Sequence, residues 1–294
     1  MLKYIDIHAH INFMAFNSDR DAVIRRALDN DTWVINIGTQ YDTSKKAVEM
    51  TNKHKEGVYA CIGLHPIHTG ASYHDVNEFG SQGKEFTSRG EIFDKEKYKE
   101  LIKLGKVVGI GECGLDYYRM DEESILKQKT AFIAQIELAD ELNLPLMLHV
   151  RNNPNDKTRN AYFDVYELIK KHSKSLKSLE VGLPKIGVSH FFAGSVEDMK
   201  RFIEIGVYIS FAGPITYKPK PEICDYISVI YETPLDMILA DTDSPYVTPV
   251  PHRGARNEPV YVKDIVKKIA EIKGLDEEEV SRVIITNAKK LFDI

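Results

Sequence analysis

The chain has 294 residues, 43% hydrophobic and 28% charged, a composition that excludes wholesale disorder and suits a soluble globular protein. Its formal net charge of −5 excludes a broad basic face for duplex binding, so metal ions or a few arginines would have to draw in an anionic substrate. The opening Met-Leu-Lys-Tyr-Ile-Asp-Ile-His lacks the charged region, apolar stretch and small-residue cleavage site of a signal peptide, and no apolar run approaches the roughly 20 residues that cross a bilayer.

In chain order, short β-branched runs alternate with amphipathic stretches, the signature of βα units. Strands are expected at Tyr4–Ala9, Trp33–Ile37, Val58–Ile62, Val107–Ile110, Leu146–His149, Gly187–His190, Val207–Phe211 and Met237–Ala240. Helices are expected at Asp19–Asn30, Thr43–Lys55, Lys95–Gly105, Ser124–Asn143, Ala161–Lys171, Ser195–Ile205 and Pro221–Tyr231, with two more at Pro259–Ile272 and Asp276–Leu291. Along Ser124–Asn143, apolar Ile125, Ala131, Phe132, Ile136, Ala139 and Leu142 keep helical spacing with polar residues opposite. Ser195 and Asp198 have capping-box spacing.

Such alternation with right-handed crossovers closes into a (β/α)8 TIM barrel, expected here as one α/β domain over residues 1–294. Insertions follow the third strand, at Ile67–Asp94, and the fifth, at Asn152–Asn160 and Ser173–Lys185. Loops after strands ring a barrel's active site, so the first insertion is a candidate rim. Cys61, Cys113 and Cys224 offer neither a disulfide framework nor zinc-finger spacing and read as small buried residues. These features predict a cytoplasmic protein, or a nuclear one in a eukaryote, with no membrane or obligate protein partner.

The chemistry gathers at the strand ends. Asp6-Ile7-His8-Ala9-His10 closes the first strand, and alternation sends His8 and His10 to the same face as a half-site for a divalent metal. Asp6, one step deeper on that face, is expected to fix one imidazole by a hydrogen bond. Glu112, His149, His190 and Asp243 each stand at the carboxyl end of a further strand, where barrel enzymes keep their active sites. Four imidazoles and two carboxylates suit zinc or another transition ion.

The segments Asp6–His10, Gly63–Pro66, Gly111–Tyr118, His149–Arg151, His190–Gly194, Thr242–Tyr246, Arg253–Pro259 and Asn287–Phe292 together resemble the TatD family of metal-dependent deoxyribonucleases, within the amidohydrolase superfamily. The resemblance spans the chain and implies two divalent ions, with Mg2+ or Mn2+ supporting turnover. His8, His10 and Asp243 would hold one ion, His149 and His190 the other, with Glu112 bridging. The family commonly carries Glu where this chain has Asp241, whose reach is shorter.

The implied activity is phosphodiester cleavage by a metal-activated water, as a 3'-5' exonuclease on single-stranded or frayed DNA. Asp243 is the candidate to orient that water and take its proton, and Glu112 and His65 complete the catalytic set. His65 would bind a phosphate or protonate the leaving oxygen. Arg151 and Arg253 are candidate phosphate ligands, with Arg256 a further one. Tyr117 and Tyr118 are candidate base-stacking residues, whereas His54, His68, His74, His172 and His252 read as ordinary surface or loop histidines. The same ligands could instead serve ester or amide hydrolysis, as in a D-aminoacyl-tRNA deacylase. A non-catalytic scaffold would be expected to have lost ligands, and none is missing.

Overall fold

The computed structural model describes residues 2–74, 86–88, 90–118, 121–176, 186–218 and 225–294, with only the backbone described at 72–74 and 86–88. Eight parallel strands form a TIM barrel in the order β1 (Tyr4–Ala9), β2 (Thr32–Ile37), β3 (Val58–Ile62), β6 (Val107–Asp116), β7 (Leu146–Arg151), β8 (Gly187–Ser189), β9 (Val207–Phe211) and β10 (Ile238–Ala240). Two short antiparallel strands, β4 (Ser72–His74) and β5 (Phe86–Ser88), pair within the first insertion. No sequence periodicity announced that pair.

Helices fill the connections: α1 (Arg20–Asp29), α2 (Tyr41–Thr51), α3 (Lys95–Leu101), α4 (Glu122–Leu142), α5 (Ala161–His172), α6 (Val196–Glu204) and α7 (Tyr226–Glu232), then α8 (Val262–Lys273) and α9 (Glu277–Phe292). Local chemistry sets their ends. At α6, Asp198 N donates to Ser195 Oγ (3.1 Å) and Ser195 N to Asp198 Oδ2 (3.1 Å), the reciprocal box expected there. α2 starts two residues earlier than expected because Gln40 N finds Thr43 Oγ1 at 2.9 Å. The expected start of α7, at 221–224, lies outside the described residues, as does Cys224. Cys61 and Cys113 are buried and free.

Helix α4 departs from its expected pattern. Gln128 and Gln135, seven residues apart on one face, are each 1% exposed. Gln135 accepts from Leu64 N (2.8 Å) and donates to Leu64 O (3.1 Å). Gln128 does the same for Asp116 N (2.8 Å) and Asp116 O (2.9 Å). A primary amide satisfies both halves of a peptide group, so it can be buried at a strand end that has lost its ladder partner. The two glutamines thereby hold the backbone beside His65 and at Asp116.

β6 is the longest strand and extends six residues past its expected end. Its register against β7 shifts between Ile110 and Cys113, a bulge that re-aims Glu112. Gly111 (φ 148°) allows it, since a Cβ there would lie 2.3 Å from Met147 O. No helix among the described residues is long and apolar enough to cross a membrane.

Candidate metal centre

The first half of the site is built where the barrel closes. Beyond β10, Asp243 N donates to His8 O (2.9 Å) and His10 N donates to Ser244 O (2.8 Å). Ala9 and Ser244 form a parallel bridge. This seam holds His8 and His10 against Asp243, whose φ of 53° lies in the left-handed region that aspartate tolerates better than most residues. His8 Nε2 and His10 Nε2 are 3.1 Å apart. Asp243 Oδ1 stands 3.7 Å from the first and 3.4 Å from the second. His10 Nδ1 donates to Ile37 O (3.1 Å), which leaves its Nε2 lone pair free for a ligand role.

The second half converges on Glu112. Its Oε1 accepts from His149 Nδ1 (3.0 Å) and His190 Nε2 (3.0 Å) and lies 3.3 Å from His65 Nε2. Its Oε2 is 3.6 Å from both His8 Nε2 and His10 Nε2. The two oxygens of one carboxylate therefore face different sets of imidazoles. Further carboxylates stand behind this half: His149 Nε2 donates to Asp116 Oδ2 (2.9 Å), and Asp241 Oδ1 lies 4.0 Å from His190 Nδ1.

Burial lowers the His8 pKa to about 4, and His190, stacked on it at 3.6 Å, adds to the effect. For His149, burial is outweighed by hydrogen bonds to Asp116 and Glu112, which raise it to about 9. His190 is raised to about 10: burial opposes this, but the charges of Glu112 and Asp241 prevail. Burial likewise opposes ionisation of Glu112, yet the surrounding imidazoles hold its pKa well below the usual carboxylate range.

The donor set fits a small divalent cation. Bonds of about 2.1 Å in tetrahedral geometry separate ligand atoms by about 3.4 Å, and the spacings among His8, His10 and Asp243 run from 3.1 to 3.7 Å. His8–His10–Asp243, His8–Glu112–His190 and His65–Glu112–His149 are each compact enough to share an ion.

The profile of the TatD related DNase family matches residues 5–293. The chain belongs to the TatD family. It is 35% identical over 292 residues to the uncharacterized metal-dependent hydrolase YabD of Bacillus subtilis, covering 98% of each chain. It is 29% identical over 294 residues to the uncharacterized metal-dependent hydrolase YcfH of Escherichia coli K12, across 99% of this chain and 96% of that one. Among solved structures it resembles the TatD homologue YjjV of Escherichia coli, with a TM-score of 0.76, 25% identity, and 99% and 98% of the two chains covered. This TatD-family chain is a metal-dependent hydrolase.

The structure brings His8, His10, His65, Glu112, His149, His190 and Asp243 together. Around that cluster, several expectations need correction. Asp6 binds no imidazole among the described residues. Its Oδ1 accepts from Thr242 N (2.8 Å) and His8 N (3.3 Å), and its Oδ2 from Thr242 Oγ1 (2.6 Å), so it stitches the seam instead. Asp241 is fully buried and its shorter reach shows: Oδ1 stops 4.0 Å from His190 Nδ1, while Oδ2 accepts from Phe191 N (3.2 Å) and Ser210 Oγ. Arg256 is not a free phosphate ligand: it grips both oxygens of Asp19 (2.9 and 2.6 Å) and Ala15 O (2.7 Å).

Tyr117 is buried and donates to Asp164 Oδ2 (2.6 Å), so it offers no stacking face. Arg151 is exposed and stacks over Tyr118 at 3.8 Å; Arg253, also exposed, stacks over Tyr217 at 4.1 Å. His68 is buried, its ring 5.9 Å from that of His65. Sequence reasoning missed Asp116 and Asn257. Asp116 had a signal, because it lies four residues beyond Glu112 on the same face of a strand. Asn257 had none. Its Nδ2 donates to Thr242 O (2.8 Å) and Tyr246 O (2.6 Å), latching the Asp243 turn from fourteen residues away in sequence.

Proposed function

We propose that this hydrolase cleaves phosphodiester bonds in DNA, acting as a 3'-5' exonuclease on single-stranded or frayed ends. The observation that carries the reading is the division of Glu112: Oε1 faces His65, His149 and His190, and Oε2 faces His8 and His10. A carboxylate so divided suits two divalent ions, His8, His10 and Asp243 holding one and His149 and His190 the other. Such ions would supply Lewis acidity toward phosphoryl oxygens and lower the pKa of a nucleophilic water.

The chain's own residues do the rest. Asp243, with its side chain 14% exposed, orients the attacking water and takes its proton. Ile67 N donates to His65 Nδ1 (3.2 Å), which leaves the proton on Nε2 to donate to a phosphoryl oxygen. Arg151 forms no ion pair with a carboxylate among the described residues, and its guanidinium can clamp a phosphate through two parallel bonds. Arg253 offers a second such cation.

The test is hydrolysis of end-labelled single-stranded DNA by chelator-treated protein, with Mg2+, Mn2+ and Zn2+ restored separately. Stepwise, metal-dependent shortening that vanishes in Glu112→Ala is expected. Absence of cleavage under every metal, alongside turnover of an aminoacyl-tRNA ester, would overturn the nuclease reading.

A further inference from the structure

The segment after β1 places apolar surface against the metal centre. The Phe13 ring lies 4.4 Å from that of His10 at an interplanar angle of 14°, covering one face of that imidazole. Met14, the next residue, is 71% exposed. Tyr246 approaches the same imidazole edge-on, its ring 6.4 Å away.

This exposure does not come from a slack loop. Arg20 donates to Ile11 O (2.6 Å), Asn12 O (3.3 Å), Phe13 O (2.9 Å) and Asn17 Oδ1 (2.7 Å). Asn12 Nδ2 donates to Ile37 O (3.0 Å) and Thr43 O (3.0 Å). Phe16 is fully buried beneath Arg256, 4.3 Å from the guanidinium. A backbone held from both sides thus sets the Phe13 ring on His10, with the exposed Met14 next to it in the chain.

We infer that Phe13 and Met14 form a subsite for the nucleobase adjoining the scissile phosphate, an inference that rests on the nuclease reading above. Neither side chain can recognise a phosphate, whereas both suit a flat aromatic heterocycle: methionine sulfur packs favourably on π faces, and stacking on an aromatic side chain tolerates any base. Phe13 also stands directly beside the metal-competent cluster. Phe13 packs on His10, so a phosphate held at Glu112 and Asp243 brings its own nucleoside into reach of Phe13. Cations and apolar groups then divide the mouth, Arg151 and Arg253 taking phosphates and Phe13–Met14 taking the base.

The experiment compares single-stranded oligonucleotides ending in a base with otherwise identical ones ending in an abasic residue, at each end in turn. The wild-type protein should show a KM about tenfold lower for the base-bearing end it attacks. Met14→Asp, a change at an exposed position, should compress that ratio toward one, as should Phe13→Leu. In parallel, terminal 2-aminopurine should be quenched on binding to Glu112→Gln protein and less so when Met14→Asp is added. Equal wild-type KM values for the two substrates, or a ratio that persists in both variants, would overturn the subsite and leave the nuclease reading standing. Cleavage of neither oligonucleotide under any metal would overturn both.

Discussion

The two halves of the metal centre are held in place by different means. On the β1–β10 side, His8, His10 and Asp243 are set by main-chain bonds across the barrel's closing seam, backed by Asp6 and Asn257. On the β6–β8 side, side chains stand behind the rings: Asp116 accepts from His149 Nε2, and Asp241 lies 4.0 Å from His190 Nδ1. A seam fixes geometry but adds no charge directly behind a ring, whereas a buried carboxylate fixes orientation and also raises the basicity of its histidine. Burial and the neighbouring His190 lower His8 to about 4, while Asp116 with Glu112 raises His149 to about 9 and Glu112 with Asp241 raises His190 to about 10.

Glu112 joins the halves, so its loss should have the largest effect. Glu112→Ala is expected to lower hydrolysis by about a thousandfold or more, the equivalent of several kcal/mol of lost charge stabilisation. Asp243→Ala should also abolish turnover. Both variants should keep the wild-type circular dichroism; wild-type turnover in metal-restored Glu112→Ala would refute its bridging role.

The carboxylates behind the second half should matter next. Asp116→Asn and Asp241→Asn are expected to weaken metal binding or activity by about 10- to 100-fold. Titration of stripped protein with each metal would show whether only one class of site weakens. Equal weakening of all sites would erase the contrast between the halves. The seam predicts a different signature. Asn257→Ala strips Thr242 O and Tyr246 O of their donor and should cost about 1–3 kcal/mol in denaturant unfolding.

The halves also differ in their response to pH in the metal-free protein. His149 and His190 have pKa values raised above the ordinary 6.5, so their contribution to stability is complete below that value. It is lost as pH rises through about 9 and about 10. The Tm of stripped protein should therefore fall from pH 7 to pH 10, and Asp116→Asn should flatten that fall. The smallest effect is expected at Arg256. Its half-buried pair with Asp19 lies outside the cluster, so Arg256→Ala should cost about 1 kcal/mol in denaturant unfolding and lower hydrolysis less than any variant above.

Most of the barrel and the cluster's composition were legible in the sequence. Hydrophobic periodicity located the eight barrel strands to within a few residues, except that β6 runs six residues beyond Ile110; among the helices, α2 and α3 end four residues before their expected ends. Strand alternation placed His8 with His10. Metal-competent residues at successive strand ends marked the right end of the barrel, because parallel βα units bring those ends together. Periodicity could not reveal Gln128 and Gln135, since an amphipathic pattern assigns glutamine to solvent unless a partner's peptide group is known. Nor could it show Asp6 stitching a seam or Arg256 bound to Asp19.

The sequence by itself determined which residue types would meet and at which end of which fold, because backbone periodicity and the topology of parallel strands are local or nearly so. Only the tertiary structure decided how each group is oriented and charged. That outcome depends on residues far apart in the chain, as when Asp241 stands behind His190 or Asn257 latches the turn at Asp243. A hydrogen bond or a buried charge acts over a few ångströms of space, and separation along the chain does not encode that distance.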